Sequence, residues 1–151
     1  MEQMTEAIRA LLDAEGWLIT NLANTAAVIY ERMQDINWAG FYLMRQGELQ
    51  LGPFQGKAAC LRIPLGKGVC GTAAAQGQTQ VVEDVHAFAG HIACDAASNS
   101  EIVVPIFSDG QVVAVLDIDS PLFGRFGPQE QQALEEAAHL LEEIWPREKM
   151  V

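Results

Sequence analysis

The sequence predicts an α+β domain in which a largely antiparallel sheet of about six strands is flanked by helices from both ends of the chain. Three observations lead to this class: helical spacing of apolar residues near each end, β-rich runs in the middle, and short turn signals that pair four of these runs into hairpins. The length of 151 residues predicts one domain over residues 1–151.

The helices are predicted from apolar residues that recur every three or four positions. The first helix covers residues 4–14 and stops at Gly16, and the second extends from Leu18 to Met33. Pro128 opens the last helix, which covers 129–145. Acidic residues fill the other faces of the first and last helices, so about half of all acids are expected on solvated helix surfaces.

The strands are predicted from β-rich runs bounded by turn residues. In chain order they are 37–44, 49–54, 61–65, 79–83, 100–107 and 111–120, with a short Ala-rich helix at 69–76. The first two strands form a hairpin, as do the last two around Ser108-Asp109-Gly110. Residues 84–99 show neither the helical nor the strand periodicity of apolar residues, which predicts a loop. A loop of this length in a compact domain is usually functional or disordered. Its apolar content favours function.

The charge balance excludes several classes of partner. Lys+Arg number 9 and Asp+Glu number 20, for a net charge of −11, and no two basic residues are adjacent. Nucleic acid and anionic membranes are therefore not expected partners, since both need clustered basic residues. No apolar run approaches the roughly 18 residues of a membrane span, and the N-terminus lacks signal-peptide features. Together with an odd number of cysteines, these features predict a cytoplasmic protein.

Two carboxylates end the last predicted strand. Because strand side chains alternate, Asp117 and Asp119 share one face with Val113 and Val115, while Val112 lies on the other. Like charges this close raise the pKa of at least one partner, which can keep an acid protonated for proton donation. The alternative is that both lie beyond the sheet edge in water.

Glu101 is a candidate third member of this carboxylate group, and the hairpin connection decides it. With a two-residue loop at Asp109-Gly110, Glu101 lies opposite Ile118 and points away from both aspartates. With a three-residue connection or an equivalent bulge, Glu101 lies opposite Asp119. A shared carboxylate site requires the second register, which we therefore predict.

The three cysteines are Cys60, Cys70 and Cys94. Cys94 lies in the long loop three residues after His91, which could help to form its thiolate. Each cysteine could equally be a small buried hydrophobe, and Cys70, at the start of the Ala-rich helix, has the most typical packing position. The cysteines could bind zinc with His91 and His86, but no C-x-x-C occurs, so no metal site is predicted.

Several stretches of the chain resemble one known family. NLANTAA, INWAGFYL, LGPFQGKAAC, GHIACDAASNSEIV and LDIDSPLFGRF are similar to the free methionine-(R)-sulfoxide reductases of the GAF superfamily, over residues 21–126. The resemblance implies a GAF fold and reduction of the R epimer of free methionine sulfoxide without a cofactor. It also implies recycling by thioredoxin, and a second copy of the chain is a candidate partner.

The resemblance also implies roles for individual residues. The implied catalytic residues are one cysteine and three carboxylates: Cys94, Glu101, Asp117 and Asp119. The implied resolving or redox residues are Cys60 and Cys70, and the implied substrate-binding residues are Trp38 and Tyr42. The alternative is a non-catalytic GAF module that senses a ligand or a redox state. Such a module ordinarily acts on an attached output domain, for which a chain of this length is expected to leave no room.

Overall fold

The computed structural model describes residues 1–91 and 96–147, which contain four α-helices and six strands. In chain order these are α1 (Glu2–Leu11), α2 (Leu18–Arg32), β1 (Trp38–Arg45), β2 (Glu48–Gly56), β3 (Arg62–Pro64), α3 (Gly68–Gln76), β4 (Gln80–Val82), β5 (Ser100–Ser108), β6 (Gln111–Ser120) and α4 (Pro128–Glu143). The long loop, for which the sequence predicts no element, contains a short 3₁₀ turn at Val85–Ala87. Asp84 caps this turn, because its side chain accepts a hydrogen bond from the backbone N–H of His86.

The six strands form one sheet in the order β3-β2-β1-β6-β5-β4, and all neighbouring strands are antiparallel. This sheet with its helices confirms the predicted α+β class. Helices α1, α2 and α4 cover one face, over an apolar cluster that includes Leu22, Leu116 and Leu134, here called the helix-side cluster. The shorter α3 packs on the other face over a second apolar cluster, which includes Val103 and Val115, here called the cavity-side cluster.

The β5–β6 hairpin has the register that a shared carboxylate site needs. A two-residue turn at Asp109-Gly110 connects the strands, and both residues have positive φ angles of 52° and 76°. Val113 has no partner in the pairing of β5 with β6, so β6 carries one extra residue at that point. This bulge brings Glu101 opposite Asp119, which confirms the predicted register.

Because of the same bulge, one predicted detail of the sheet is wrong: the faces on which Val112 and Val113 lie. Val113 packs against the helix-side cluster and Val112 against the cavity-side cluster, the reverse of the prediction. The reason is that an extra residue interrupts the simple alternation of side chains. Val115 and Asp117, beyond the bulge, both lie on the cavity side as predicted.

Three glutamates of α4 are not simply solvated, contrary to expectation. The Glu130 side chain accepts a hydrogen bond from the backbone N–H of Gly127 at 2.8 Å and caps the helix. Glu135 accepts one from Thr79 Oγ1 at 2.7 Å, and Glu142 accepts one from the backbone N–H of Phe107 at 2.8 Å. The bond to Glu142 pairs the backbone N–H of Phe107, which lies on β5 beyond the end of β4. Without it, β5 would present an open edge at this point. None of the helices within the described ranges combines the length and apolar character needed to cross a membrane.

Candidate active site

The central strands bring the predicted site residues together on the face that α3 covers. Asp119 on β6 pairs with Trp38 on β1 and with Glu101 on β5, so these three side chains form one row across the sheet. Asp117 lies two positions along β6 on the same face, and Tyr42 lies further along β1. The row is therefore fixed by backbone pairing in the centre of the sheet and not by a loop.

These residues line a cavity of about 530 Å³, including its open mouth. Six of the predicted site residues lie on its wall: Trp38, Tyr42, Cys70, Glu101, Asp117 and Asp119. Cys60 follows two residues that line the same cavity, Ala58 and Ala59. Cys94 lies outside the described residues.

Among the charged and titratable residues of this wall, sequence reasoning missed Lys67, and it connected His91 only with Cys94 and a possible zinc site. Lys67 stands between Gly66 and Gly68, whose positive φ angles of 81° and 63° turn the chain toward the cavity at the start of α3. The sequence signal that could have identified Lys67 is its position between two glycines directly before a predicted helix. Burial, and then the charge of His86, lower the pKa of His91, which favours a neutral imidazole at the cavity.

Glu101 and Asp117 form a buried carboxyl pair with the Cys70 thiol. Glu101 is 7% exposed and Asp117 5%, and the Cys70 thiol donates toward Glu101 Oε2 at 4.0 Å. Burial raises the pKa of Glu101 well above its ordinary value, and the charges of Asp117 and Asp119 raise it further. Burial also raises the pKa of Asp117, although hydrogen bonds within the cluster oppose this shift. The cluster therefore retains a proton at a pH where an isolated carboxyl would have lost it.

The Oδ1 atom of Asp117 is buried and has no hydrogen-bond partner among residues 1–91 and 96–147. Leaving a buried acceptor unpaired costs about 1–3 kcal/mol. Because Asp117 lines the cavity, this oxygen can accept a hydrogen bond from a bound molecule. The geometry favours a ligand that carries a donor, such as an ammonium group.

Beside the carboxylates the wall of the cavity is aromatic. The Trp38 indole stacks on Phe54, with ring centroids 5.2 Å apart, and on Tyr42 at 6.0 Å. Trp38 Nε1 donates to the carbonyl of Lys57 at 3.0 Å, and the Tyr42 hydroxyl donates to the carbonyl of Cys60 at 2.9 Å. Burial raises the pKa of Tyr42, which keeps the phenol a donor. These two bonds connect the aromatic wall to the segment that carries Cys60.

The cysteines are in different states. Cys60 is disulfide-bonded, whereas Cys70 is a free thiol and 4% exposed. Cys70 packs within the cavity-side cluster, as its position at the start of the Ala-rich helix indicates, and its sulfur also belongs to the carboxyl cluster. Burial and the nearby carboxylates raise the pKa of Cys70, so the thiol is not a ready nucleophile.

Gly40 on β1 makes room for the aromatic wall, and a side chain there should disturb it. A Cβ atom at this position would lie 2.3 Å from Phe54 Cβ and 2.8 Å from Trp38 Cη2. We expect Gly40→Ala to lower the free energy of unfolding by about 1–3 kcal/mol, because overpacking forces neighbours apart. The near-ultraviolet circular dichroism of the Trp38–Phe54 stack should change with it.

Gly47→Ala is the matched control for Gly40→Ala. A Cβ at Gly47 meets nothing within 4 Å, although its φ of +80° adds some backbone strain. This variant should keep the near-ultraviolet spectrum of the wild type. An unchanged spectrum and unchanged stability in Gly40→Ala would contradict the packing argument.

Comparison with known proteins identifies the family. A family model of the GAF domain matches residues 19–145. Free methionine-R-sulfoxide reductase of Escherichia coli is 58% identical over 135 residues, which cover 89% of this chain and 82% of that protein. Free methionine-R-sulfoxide reductase of Saccharomyces cerevisiae is 45% identical over 149 residues, covering 93% and 83%.

A solved structure shows the same relationship. The reduced form of fRMsr of Staphylococcus aureus superposes with a TM-score of 0.92 at 48% identity, over 96% of this chain and 94% of that chain. Both the sequence and the fold are therefore shared over nearly the whole length. The chain belongs to the GAF-domain family and, within it, to the free methionine-R-sulfoxide reductases.

Proposed function

We propose that this protein reduces free methionine-(R)-sulfoxide to methionine with a cysteine thiolate. The observation that carries the proposal is the proton-retaining cluster of Glu101 and Asp117, which lines one cavity together with the aromatic residues Trp38 and Tyr42. Related enzymes support the choice of substrate, since fRMsr of Staphylococcus aureus and the free methionine-R-sulfoxide reductase of Neisseria meningitidis have structures in complex with their substrates.

The reaction needs a nucleophile and a proton donor. The Cys94 thiolate attacks the sulfoxide sulfur and forms a sulfur–sulfur bond. The oxygen then passes to Cys94 as this bond and the bond between oxygen and methionine sulfur break. Protonated Glu101 donates to this oxygen, because an unprotonated oxide is a poor leaving group. Methionine leaves with its sulfur reduced by two electrons, and Cys94 is left as a sulfenic acid.

Each wall of the cavity can hold one part of the substrate. The rings of Trp38 and Tyr42 receive the methyl group and side chain, because a polarizable sulfur group packs well against aromatic rings. The unpaired Oδ1 of Asp117 accepts a hydrogen bond from the substrate ammonium. Lys67 and the N-terminal end of α3 offer positive charge to the substrate carboxylate. A site that reads both charged groups selects the free amino acid over a peptide.

The enzyme returns to its starting state through a disulfide. We assign Cys60 as the resolving cysteine, whose thiol condenses with the Cys94 sulfenic acid and releases water. This assignment is supported by the chemical states of the described cysteines: Cys60 is disulfide-bonded and Cys70 is free. A dithiol reductant of the thioredoxin class then opens the disulfide by exchange and is itself oxidised.

The direct test is thioredoxin-coupled turnover of the resolved epimers of free methionine sulfoxide. The R epimer should be reduced, the S epimer should not, and a peptide that contains methionine-(R)-sulfoxide should be a poor substrate. A ligand-sensing GAF module would bind the R epimer without reducing it. Absence of turnover with the R epimer would therefore reject the proposal.

The role of Cys60 is tested by a separate variant. Cys60→Ser should form one equivalent of methionine per chain and then stop, because the sulfenic acid has no resolving thiol to form the disulfide that thioredoxin opens. Rapid quenching with and without thioredoxin measures the equivalents formed. Full cycling of Cys60→Ser with thioredoxin would transfer the resolving role to Cys70.

A further inference from the structure

The carboxyl cluster has the donor set of a metal site. Cys70 on α3, Glu101 on β5 and Asp117 on β6 each offer one ligand atom, and the three atoms lie within 4.8 Å of one another. We propose that this cluster binds a divalent cation of the Zn²⁺ class. All three side chains are buried and come from separate elements of regular structure, so packing holds the donors in place before an ion arrives.

The unpaired oxygen of Asp117 independently points to a ligand at this position. Asp117 is 95% buried, and its Oδ1 accepts no hydrogen bond from the described part of the chain. A buried carboxylate oxygen in this state costs free energy unless a cation or a donor binds to it. This oxygen can therefore act as a ligand atom beside the sulfur of Cys70 and the carboxyl of Glu101.

The three donor atoms are close enough together to converge on one tetrahedral ion. Bonds of about 2.3 Å to sulfur and about 2.1 Å to oxygen place tetrahedral ligand atoms about 3.4–3.6 Å apart. Cys70 Sγ and Glu101 Oε2 are 4.0 Å apart, so this pair needs to close by a few tenths of an ångström. No pair of the three donor atoms is more than 4.8 Å apart, so none needs to close by more than about 1.4 Å. Three protein ligands leave the fourth position facing the cavity, where water can bind.

The type of donor selects the class of cation. A thiolate with two carboxylates suits Zn²⁺ and its spectroscopic substitute Co²⁺, which accept sulfur, oxygen and tetrahedral geometry. Mg²⁺ and Ca²⁺ prefer shells made only of oxygen with six or more ligands. The negative charges of the two carboxylates and the thiolate offset the charge of the ion, and the thiol proton and the proton retained by the carboxyl cluster leave to solvent when the ion binds.

An ion at this position would block the proposed reaction, because it would occupy Glu101 and the oxygen that binds the substrate ammonium. This consequence rests on the proposed function, whereas the binding itself does not. A protein that binds Co²⁺ and turns over neither epimer would reject the proposed function and leave the metal site standing.

The test is a Co²⁺ titration of the full-length protein in its disulfide form, in which Cys60 is disulfide-bonded and Cys70 is free. We expect a thiolate-to-cobalt charge-transfer band in the near ultraviolet, saturating at one ion per chain and displaced by Zn²⁺. In Cys70→Ser the band should disappear, and Asp117→Asn should weaken binding by at least about 10–100-fold. Absence of the band from the wild type, or its persistence in Cys70→Ser, would overturn the proposal.

Two controls separate a metal site from general attraction to acidic groups. Asp119→Asn removes a carboxylate of the same cavity that lies outside the ligand set, and it should keep the band. Zn²⁺ should raise the unfolding temperature of the wild type, whereas Mg²⁺ should not. Equal stabilisation by Mg²⁺ would overturn the assignment. If Cys70→Ser does not fold, Asp117→Asn and Glu101→Gln carry the same test.

Discussion

Replacing Cys94 by serine should abolish reduction of methionine-(R)-sulfoxide, with turnover lowered by about 10⁴-fold or more. A serine hydroxyl has nearly the shape of a thiol but is scarcely ionised and is a far weaker nucleophile toward sulfur. Removing a covalent nucleophile typically lowers kcat by several orders of magnitude, because the remaining groups cannot form the covalent intermediate. Thioredoxin-coupled turnover measures the loss.

A single-turnover experiment distinguishes the loss of the nucleophile from the loss of recycling. Pre-reduced wild type and Cys60→Ser should each form one equivalent of methionine without added reductant, whereas Cys94→Ser should form none. Binding of the R epimer, measured by calorimetry, should persist in Cys94→Ser. One equivalent of methionine from Cys94→Ser would contradict the assignment and transfer the nucleophile to another thiol.

Glu101→Gln should lower kcat by about 10²–10⁴-fold, the range that general acid catalysis contributes. Glutamine keeps the shape of the side chain but cannot give up an acid proton. The KM for the substrate should change little, because Glu101 acts mainly on the developing oxide. Glu136→Gln makes the same chemical change on the exposed face of α4 and should leave kcat unchanged. A kcat for Glu101→Gln within a few fold of the wild type would exclude Glu101 as the proton donor.

The raised pKa of Glu101 adds a pH signature to this prediction. The protonated form donates, so wild-type kcat should fall as pH rises through the pKa of Glu101, and Glu101→Gln should lack that limb. Between the ordinary value of 4.5 and the raised pKa, the folded state binds more protons than the unfolded state. The free energy of unfolding therefore falls as pH rises across this window.

Because glutamine does not ionise, Glu101→Gln should lose this dependence and be at least as stable as the wild type at neutral pH. Urea unfolding at acidic and neutral pH measures both proteins. A variant destabilised equally at both pH values would indicate a structural role for the carboxyl group.

Local patterns in the sequence predict the part of the site that lies on one hairpin. The alternation along β6 places Asp117 and Asp119 on one face. Counting residues around the turn leaves two registers, and the one that a shared carboxylate site requires puts Glu101 opposite Asp119, where the bulge places it. Both arguments work because neighbouring strands of a hairpin are connected by a few residues, which limits the registers to two. The position of the bulge could not be predicted, since either Val112 or Val113 could be the extra residue on pattern alone.

The rest of the site depends on contacts between distant parts of the chain. Trp38 and Tyr42 reach the carboxylates because β1 pairs with β6, and no local pattern indicates which strand takes the central position beside β6. The role of these aromatic residues was predicted only through the family resemblance. Lys67 and the carboxyl contact of Cys70 depend on how α3 packs over the sheet, which is equally a property of the folded chain.

The bulge at Val113 has a consequence for how the length of this hairpin can vary. Deleting Val113 would restore a regular ladder from the turn to the end of β6 and would keep Glu101 opposite Asp119. Val112 would also keep its side of the sheet, so the loss would be confined to the contacts that Val113 itself makes. A deletion between Ala114 and Asp117 would instead slip the strand by one residue and turn both Asp117 and Asp119 toward the apolar helix-side cluster. Relatives and engineered variants can therefore shorten the hairpin at its outer end, while the segment from Ala114 to Asp119 must keep its length.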